Sequence, residues 1–383
     1  MEKIRLGDVA DVITKGTTPT SIGYEFVNKG INFIKVESIT EDGAFIENKF
    51  AYITDECNKK LSRSQLQEND ILFSIAGAIG RVAIVDKNIL PANTNQALAI
   101  IRLHKGVYEY NFLKYILKSP AISKQFEKQK QGVAQINLSL KNIGDFEIPV
   151  ISIEQQKKIA DEFDKVTVLI DKRKRQLEKL DELVKSRFVE MFGDKDYPED
   201  TLLNLCNIID YRGKTPEKAE YGLPFITAKN VKMHQMNLEP CEYISKETYD
   251  KVMVRGFPKE GDVVFTTEAP LGNVCRIPHF DTEFYIGQRI VTLQTEKLEP
   301  IYLEYALSSD DFKMKYIGKS SGSTVTGIRV RLLEQLTIPV PPIELQNQFA
   351  AFVKQVDKSK FEIKQSLEKL ELLKKALMQK YFG

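Results

Sequence analysis

The sequence predicts an α+β protein: two related globular units with twisted, mostly antiparallel sheets, separated by two long antiparallel helices that form a coiled coil with an internal pseudo-twofold repeat. Three observations carry this. The stretches "IPVISIEQQKKIA" from Ile148 and "IPVPPIELQNQFA" from Ile338 open alike, and each leads into a long, charged, leucine-spaced segment. Their alignment, at an offset of 190 positions, holds without a gap to Gly193 and Gly383. The regions before them correspond as well, most clearly "NDILFSIAGAIGRVAIV" from Asn69 with "GDVVFTTEAPLGNVCRI" from Gly261. The predicted divisions are 1–147 for the first globular unit, 148–193 for the first helical unit, 194–337 for the second globular unit and 338–383 for the second helical unit.

In the first unit, Phe33–Val36, Ile71–Ser74 and Val82–Val85 are short apolar runs bounded by Gly, Asn and Asp, which predicts strands between turns. Residues 110–129 and, in the second unit, 301–316 read as helices. "INFIKVESI" matches "LPFITAKNV", Gln96 falls opposite Gln288, and "KGTTP" ending at Pro19 is echoed by "RGKTP" ending at Pro216. Asp70 and Asp262 each precede a strand at a turn, a structural position.

Pro149 and Pro339 cannot sit inside a helix, so each marks a boundary. Ser152 followed by Gln155 predicts a capping box. Leu177, Leu180, Val184 and Met191, and in the second copy Ile363, Leu367, Leu370 and Leu377, follow three- and four-residue steps, a narrow seam suited to another helix. Gly193 and Gly383 terminate the helices. If the two seams pair antiparallel, the globular units lie at opposite ends of a bar of about 36 residues, roughly 54 Å at 1.5 Å per residue.

The composition is that of a globular protein, with 42% hydrophobic and 28% charged residues. No apolar run approaches the length of about 18 residues needed to span a membrane. The opening MEKIRLGDVADVITKG lacks the apolar core of a signal peptide, and a cytoplasmic location is expected. Cys57, Cys206, Cys241 and Cys275 lie far apart with no CxxC pair, which argues against a zinc site or a disulfide framework. The formal net charge is only +2. Local charge is more directed: Lys114, Lys118, Lys124, Lys128, Lys130 and Lys141 face only Glu127 between Phe112 and Lys141, and Lys313, Lys315, Lys319, Arg329 and Arg331 take a comparable place later. Phosphate is one target for such a stripe; a solvated helix face is the other reading.

No catalytic residue and no metal ligand is assigned. His104, His234 and His279 occupy non-matching places in the two halves and lie in no motif. "GAIG" at Gly77 is not followed by Gly-Lys-Ser/Thr, and there is no GxGxxG after a strand, no HExxH and no GxSxG. Binding remains. Two related modules at a fixed separation suit a long, repetitive partner, and duplex DNA with a turn of about 34–36 Å is one.

The ordered duplication resembles the specificity subunit of type I restriction–modification enzymes. Its marks are the Asp-Ile-Leu-Phe and Asp-Val-Val-Phe strands with a following Gly, the recurring Gln96 and Gln288, the loops around Gly132 and Gly322, and Ile-Pro with Glu-x-Gln opening a long helix, twice. The resemblance implies that the globular units are target-recognition domains and the helices conserved spacers. It implies a bipartite DNA target whose gap the helices set. It implies partners: two methyltransferase subunits that modify adenine N6 using S-adenosylmethionine, and motor–nuclease subunits using ATP and Mg. No cofactor is expected in this chain, which lacks both an Asn/Asp-Pro-Pro-Tyr/Phe motif and a phosphate loop. The competing class is a structural adaptor that binds protein or glycan through two related heads.

For DNA, donor-rich side chains in loops are the candidates for base edges: Arg81, Gln96, Arg212, Lys229, Asn230, Gln288 and Arg289. Gln96 and Gln288 also admit a structural reading, since two heads with different targets share them. Backbone contacts fall to Thr17, Thr18, Lys214, Thr215, Ser321, Ser323 and Thr324 and to the basic stripe, with Lys130 and Lys319, and Lys35 is a further DNA-binding candidate. Gly16, Gly213, Gly132 and Gly322 would allow close approach, or are ordinary turn glycines.

Overall fold

The structure is a computed structural model and describes residues 2–127, 137–193, 195–213, 215–317 and 327–383. The first half of the chain runs β1 (Lys3–Arg5), β2 (Ala10–Lys15), β3 (Ile31–Ile34), β4 (Ala51–Ile53), α1 (Asp55–Lys60), β5 (Ile71–Ser74), β6 (Val82–Ile84), β7 (Ala92–Thr94), β8 (Leu98–Leu103), α2 (Tyr110–Leu117), α3 (Pro120–Glu127), α4 (Leu140–Gly144), β9 (Glu147–Pro149) and the 40-residue helix α5 (Ile153–Phe192). The second half repeats this with β10 (Glu199–Thr201), α6 (Leu202–Leu205), β11 (Asn207–Asp210), β12 (Leu223–Ile226), β13 (Val231–Lys232), β14 (Gln235–Met236), β15 (Glu242–Ile244), α7 (Lys246–Val252), β16 (Val263–Thr266), β17 (Val274–Arg276), β18 (Tyr285–Ile286), β19 (Ile290–Gln294), α8 (Pro300–Ser308), α9 (Asp310–Ile317), α10 (Val330–Glu334), β20 (Thr337–Pro339) and α11 (Ile343–Phe382), also of 40 residues.

Two compact units result, Met1–Lys174 with Gln365–Gly383, and Arg175–Lys364. Each is closed by parts of both long helices. In the first unit an antiparallel sheet of order β2-β8-β5-β6 lies beside a smaller sheet β4-β3-β7, and β1 pairs with β9. The second unit repeats this as β11-β19-β16-β17, β15-β12-β18 and β10 with β20, adding a β13–β14 hairpin. Pairing is antiparallel except for β3 with β7 and β12 with β18.

The apolar runs became strands because the larger sheet is buried on both faces, which removes the usual polar alternation. Ile71, Phe73, Val82, Ala99 and Ile101 join the main core of the first unit, under the helices. Leu72, Ala83, Leu98 and Ile100 face the second core, with Ile34 and Val85. Phe73 and Phe265 are fully buried at matching places.

The predicted helix over 110–129 is instead two, α2 and α3, its last residues lying outside the described ones, and that over 301–316 is α8 and α9. The break has the same cause twice. The Ser309 hydroxyl accepts the Phe312 amide at 3.2 Å, and the Ser119 hydroxyl lies 3.5 Å from the Ile122 amide, so each serine starts a new helix. The predicted strand over 33–36 ends at Ile34, and Val36 begins a turn. The capping box is present: the Ser152 amide donates to Gln155 Oε1 and the Gln155 amide to Ser152 Oγ, both at 3.3 Å.

The long helices meet antiparallel within each unit. In the first, Phe163 stacks between Tyr115 (4.6 Å) and Phe382 (5.7 Å), and Tyr381 donates to Glu162. In the second, Phe192 and Phe188 pack on Phe349 at 5.6 and 5.4 Å, and Lys360 pairs with Asp181 at 2.5 Å. The seam is half-buried at Leu177, Leu180, Leu367 and Leu370 and buried at Val184 and Met191.

Candidate nucleic-acid interface

In each unit one edge gathers the segments that leave the sheets. Because β3 and β7 run parallel, with Ile34 opposite Thr94, their carboxyl ends emerge side by side. Thr94 Oγ1 donates to the Ile34 carbonyl at 2.8 Å and ties the two exits together. Lys35–Ser38 follows one strand and Asn95–Gln96 the other. The end of β2 arrives at the same place, since Lys15 pairs with Ala99 and the Gly16 amide donates to the Asn95 carbonyl. Gly16 is required there, because a Cβ would lie 1.7 Å from the Thr94 carbonyl oxygen.

This edge brings Thr17, Thr18, Lys35 and Gln96 together. Thr18 Oγ1 donates to Gln96 Oε1 at 2.5 Å, which leaves the Gln96 amide protons directed elsewhere on an exposed side chain. The Lys35 ammonium sits over the Phe26 ring, 4.5 Å from its centre.

The second unit builds the same edge from β12 and β18, with the Gly287 amide donating to the Ile226 carbonyl at 2.7 Å. It gathers Lys229, Gln288 and Arg289, with Arg212 and Thr215 arriving from the end of β11 beside the start of β19. Lys229 and Thr215 are exposed. Arg289 is exposed with Glu268 3.7 Å away, and Arg212 is held by Asp210 at 2.8 Å. Gly213 has φ +78 with open space around it, a backbone conformation its turn requires.

Asn230 lies beneath the second edge as framework, a correction to its expected place among base readers, while half-buried Arg81 braces the first edge through one guanidinium nitrogen. Arg81 donates to the carbonyls of Val36 (3.1 Å) and Ile39 (2.7 Å). Its counterpart Asn273 makes the matching bond to the Val231 carbonyl at 2.8 Å. Asn230 is 3% exposed; it accepts the Thr227 amide and donates to the carbonyls of Asn237 and Pro240. Its counterpart Ser38, fully buried, accepts the Lys35 amide and donates to the Lys49 carbonyl. At Asn230 and Ser38 the side-chain donors are taken up by backbone oxygens. Lys130, Lys214, Lys319, Ser321, Ser323, Thr324, Gly132 and Gly322 lie outside the described residues.

The turn aspartates are structural. Asp70 is fully buried, accepts the Gln67 amide and takes a bidentate bond from Arg102 at 2.7 Å; Asp262 accepts from the Lys259 amide and from Gln294, the counterpart of Arg102. Burial raises the Asp262 carboxyl pKa despite these bonds. Parts of the basic stripe are likewise engaged: Lys118 donates to the Glu41 carbonyl, and Lys315 binds Glu199 and Thr337. Burial lowers the pKa of Lys118, with Lys374 and Lys114 adding repulsion.

Sequence reasoning passed over Glu37. It is exposed on the same edge, at the position that Lys229 occupies in the second unit. Carrying the repeat alignment one residue past Val36 and Ala228 finds it.

Among the described residues, no group of three or more His, Cys, Asp or Glu could hold a metal, and no helix is long and apolar enough to cross a membrane. The Cys206 and Cys275 thiols are pushed up to about 12 by burial and stay protonated. His234 and His279 are each held by a glutamate at 2.8 Å, and His104 by Asp11.

The family model described as type I restriction modification DNA specificity domain matches residues 1–182 and again 195–374. The chain belongs to that family. The match, twice over, coincides with the structural repeat, and membership in the specificity family sets aside the adaptor reading. Among curated specificity-subunit relatives, the type I restriction enzyme MjaVIII specificity subunit of Methanocaldococcus jannaschii is 26% identical over 408 residues, covering 98% of this chain and 91% of its own. The EcoBI specificity subunit of Escherichia coli is 32% identical over 156 residues, 39% of this chain and 31% of that one. Two solved structures align over the whole chain. A chain from work on complex assembly and conformational transition of the type I R-M system has TM-score 0.61, 20% identity and 97% of its length covered. The S subunit from M. genitalium has TM-score 0.58, 16% identity and 96% covered. At those identities they speak to the fold.

Proposed function

We propose that this chain is the sequence-specific DNA-recognition subunit of a type I restriction–modification complex, each unit reading one half of a bipartite target. The observation that carries it is the pair of matched edges. The same framework is built twice, at buried Ser38 and Asn230 and at half-buried Arg81 and Asn273, and it presents different exposed donors and acceptors each time. A constant frame with variable display is what two different half-sites require. Thr17, Thr18 and Thr215 act on the backbone, with Lys35 as a cation beside them; Gln96, Arg212, Lys229, Gln288 and Arg289 are placed for base edges.

The long helices set the gap and dock methyltransferase subunits. In support, they keep large apolar side chains exposed: Val168, Leu169, Leu372 and Leu373 in the first unit, and Leu183, Val189 and Phe361 in the second. Such patches suit a protein partner. Two methyltransferase subunits with S-adenosylmethionine and motor–nuclease subunits with ATP and Mg complete the assembly, in the cytoplasm. The chemistry belongs to those subunits, and this chain supplies no catalytic group.

Adenine-methylation mapping in the native host, with the gene intact and deleted, tests the reading. A bipartite methylated motif that disappears with the gene is the expected result; a methylome indifferent to the deletion overturns it.

A further inference from the structure

We propose that Glu37 and Lys229 are opposite-sign base readers at one repeated position: Glu37 accepts from the exocyclic amino group of a cytosine, and Lys229 donates to the O6/N7 edge of a guanine. The inference rests on the DNA-recognition reading above.

The two residues occupy one place in a duplicated frame. Each lies three residues beyond the end of an equivalent strand, β3 or β12. The following residue, Ser38 or Asn230, is buried and bonds back to the amide of Lys35 or Thr227. One residue further, the Ile39 or Val231 carbonyl is held by Arg81 or Asn273. The backbone is therefore clamped alike around both side chains, and what differs is the charge they present.

That charge has no internal use. Both residues are exposed, and among the described residues neither side chain makes a hydrogen bond or an ion pair. Lys35 and Gln96 flank Glu37 on its edge, as Gln288 and Arg289 flank Lys229.

The inversion of sign discriminates between roles. A position serving phosphate would not carry a carboxylate, which the DNA backbone repels. A position serving the fold would have a partner. A carboxylate accepts only and an ammonium donates only. In the major groove that distinguishes the cytosine amino group from the guanine O6/N7 acceptors. Two units with one frame and different half-sites place their chemical difference at such a point.

The test begins with the methylated motif mapped in the native host. Purified full chain, wild type and carrying Glu37→Lys or Lys229→Glu, is equilibrated with duplex pools in which each half-site position carries all four bases in turn, and bound and free fractions are sequenced. The expected result is loss of about tenfold or more of the preference for guanine at one position with Lys229→Glu, and for cytosine at one position of the other half-site with Glu37→Lys, every other position unchanged. Thermal melts check folding, and Glu37→Gln and Lys229→Met replace a reversed-charge variant that unfolds. Unchanged preferences, or a uniform change across all sequences as a phosphate contact would give, overturn the proposal and leave the recognition reading standing. A host in which no bipartite methylated motif depends on this gene overturns both.

Discussion

Gln156 and Gln346, 190 residues apart, make the same pair of bonds. Each is almost fully buried at the start of a long helix, each side-chain oxygen accepts a glutamate amide (Glu109 at 2.8 Å, Glu299 at 2.9 Å), and each side-chain amide donates back to a carbonyl five residues earlier (Ile151, Pro341). Those two glutamates cap α2 and α8. The glutamine thus joins the last globular helix pair to the long helix in both halves. Replacing Gln156 by Ala orphans a buried N–H and C=O and is expected to cost about 1–3 kcal/mol, read as a fall in the melting temperature. Gln346→Ala should cost a similar amount.

Gly16 and Gly213 share a motif and should respond differently. Gly16→Ala drives a methyl into the Thr94 carbonyl, so the Thr17–Thr18 loop must leave Gln96. Recognition of the half-site read by the first unit should fail, measured by duplex binding. Gly213→Ala meets open space and carries only the strain of its positive φ, about 1–2 kcal/mol.

Arg81→Met tests the framework assignment. It leaves the Val36 and Ile39 carbonyls without their donor. The expected outcome is a loss of roughly 1–3 kcal/mol in stability, with binding weakened evenly over all bases at every position. A base-selective change would return Arg81 to the readers.

Glu199 links acid to stability. Hydrogen bonds from Lys315 and Thr337 lower its pKa in the folded chain. A carboxylate with a depressed native pKa stabilises above its unfolded value, and that contribution is lost as pH falls through the native one. Glu199→Gln should therefore be modestly less stable than wild type at neutral pH, with the two melts converging in acid. The pair is partly exposed, so the difference is small.

Helix length should govern target geometry. Adding four residues to both α5 and α11 should lengthen the unread gap in the methylated motif and leave both half-sites unchanged. Binding should also weaken steeply as salt rises, because phosphate contacts release counterions.

The repeat and the strands were legible in sequence because both copies keep one apolar pattern. Phe73 and Phe265 are core residues whatever the loops around them become. The breaks at Ser119 and Ser309 were hidden, since a serine inside a helical pattern does not announce that it caps a new helix. The candidate edges were half legible. Thr18, Gln96, Lys229, Gln288 and Arg289 gather on them, but residue type alone does not show whether a nearby carbonyl absorbs a donor, as at Asn230. Comparing the halves would have shown it: Asn273 for Arg81 and Ser38 for Asn230 preserve a bond rather than a charge.

Phe382, the last residue of α11, packs on Phe112 and Phe163 in the unit that also holds β1. During translation that unit emerges early with a gap among its aromatic rings, filled only once α11 has been made. A chain cut short within α11 would therefore injure the amino-terminal module first.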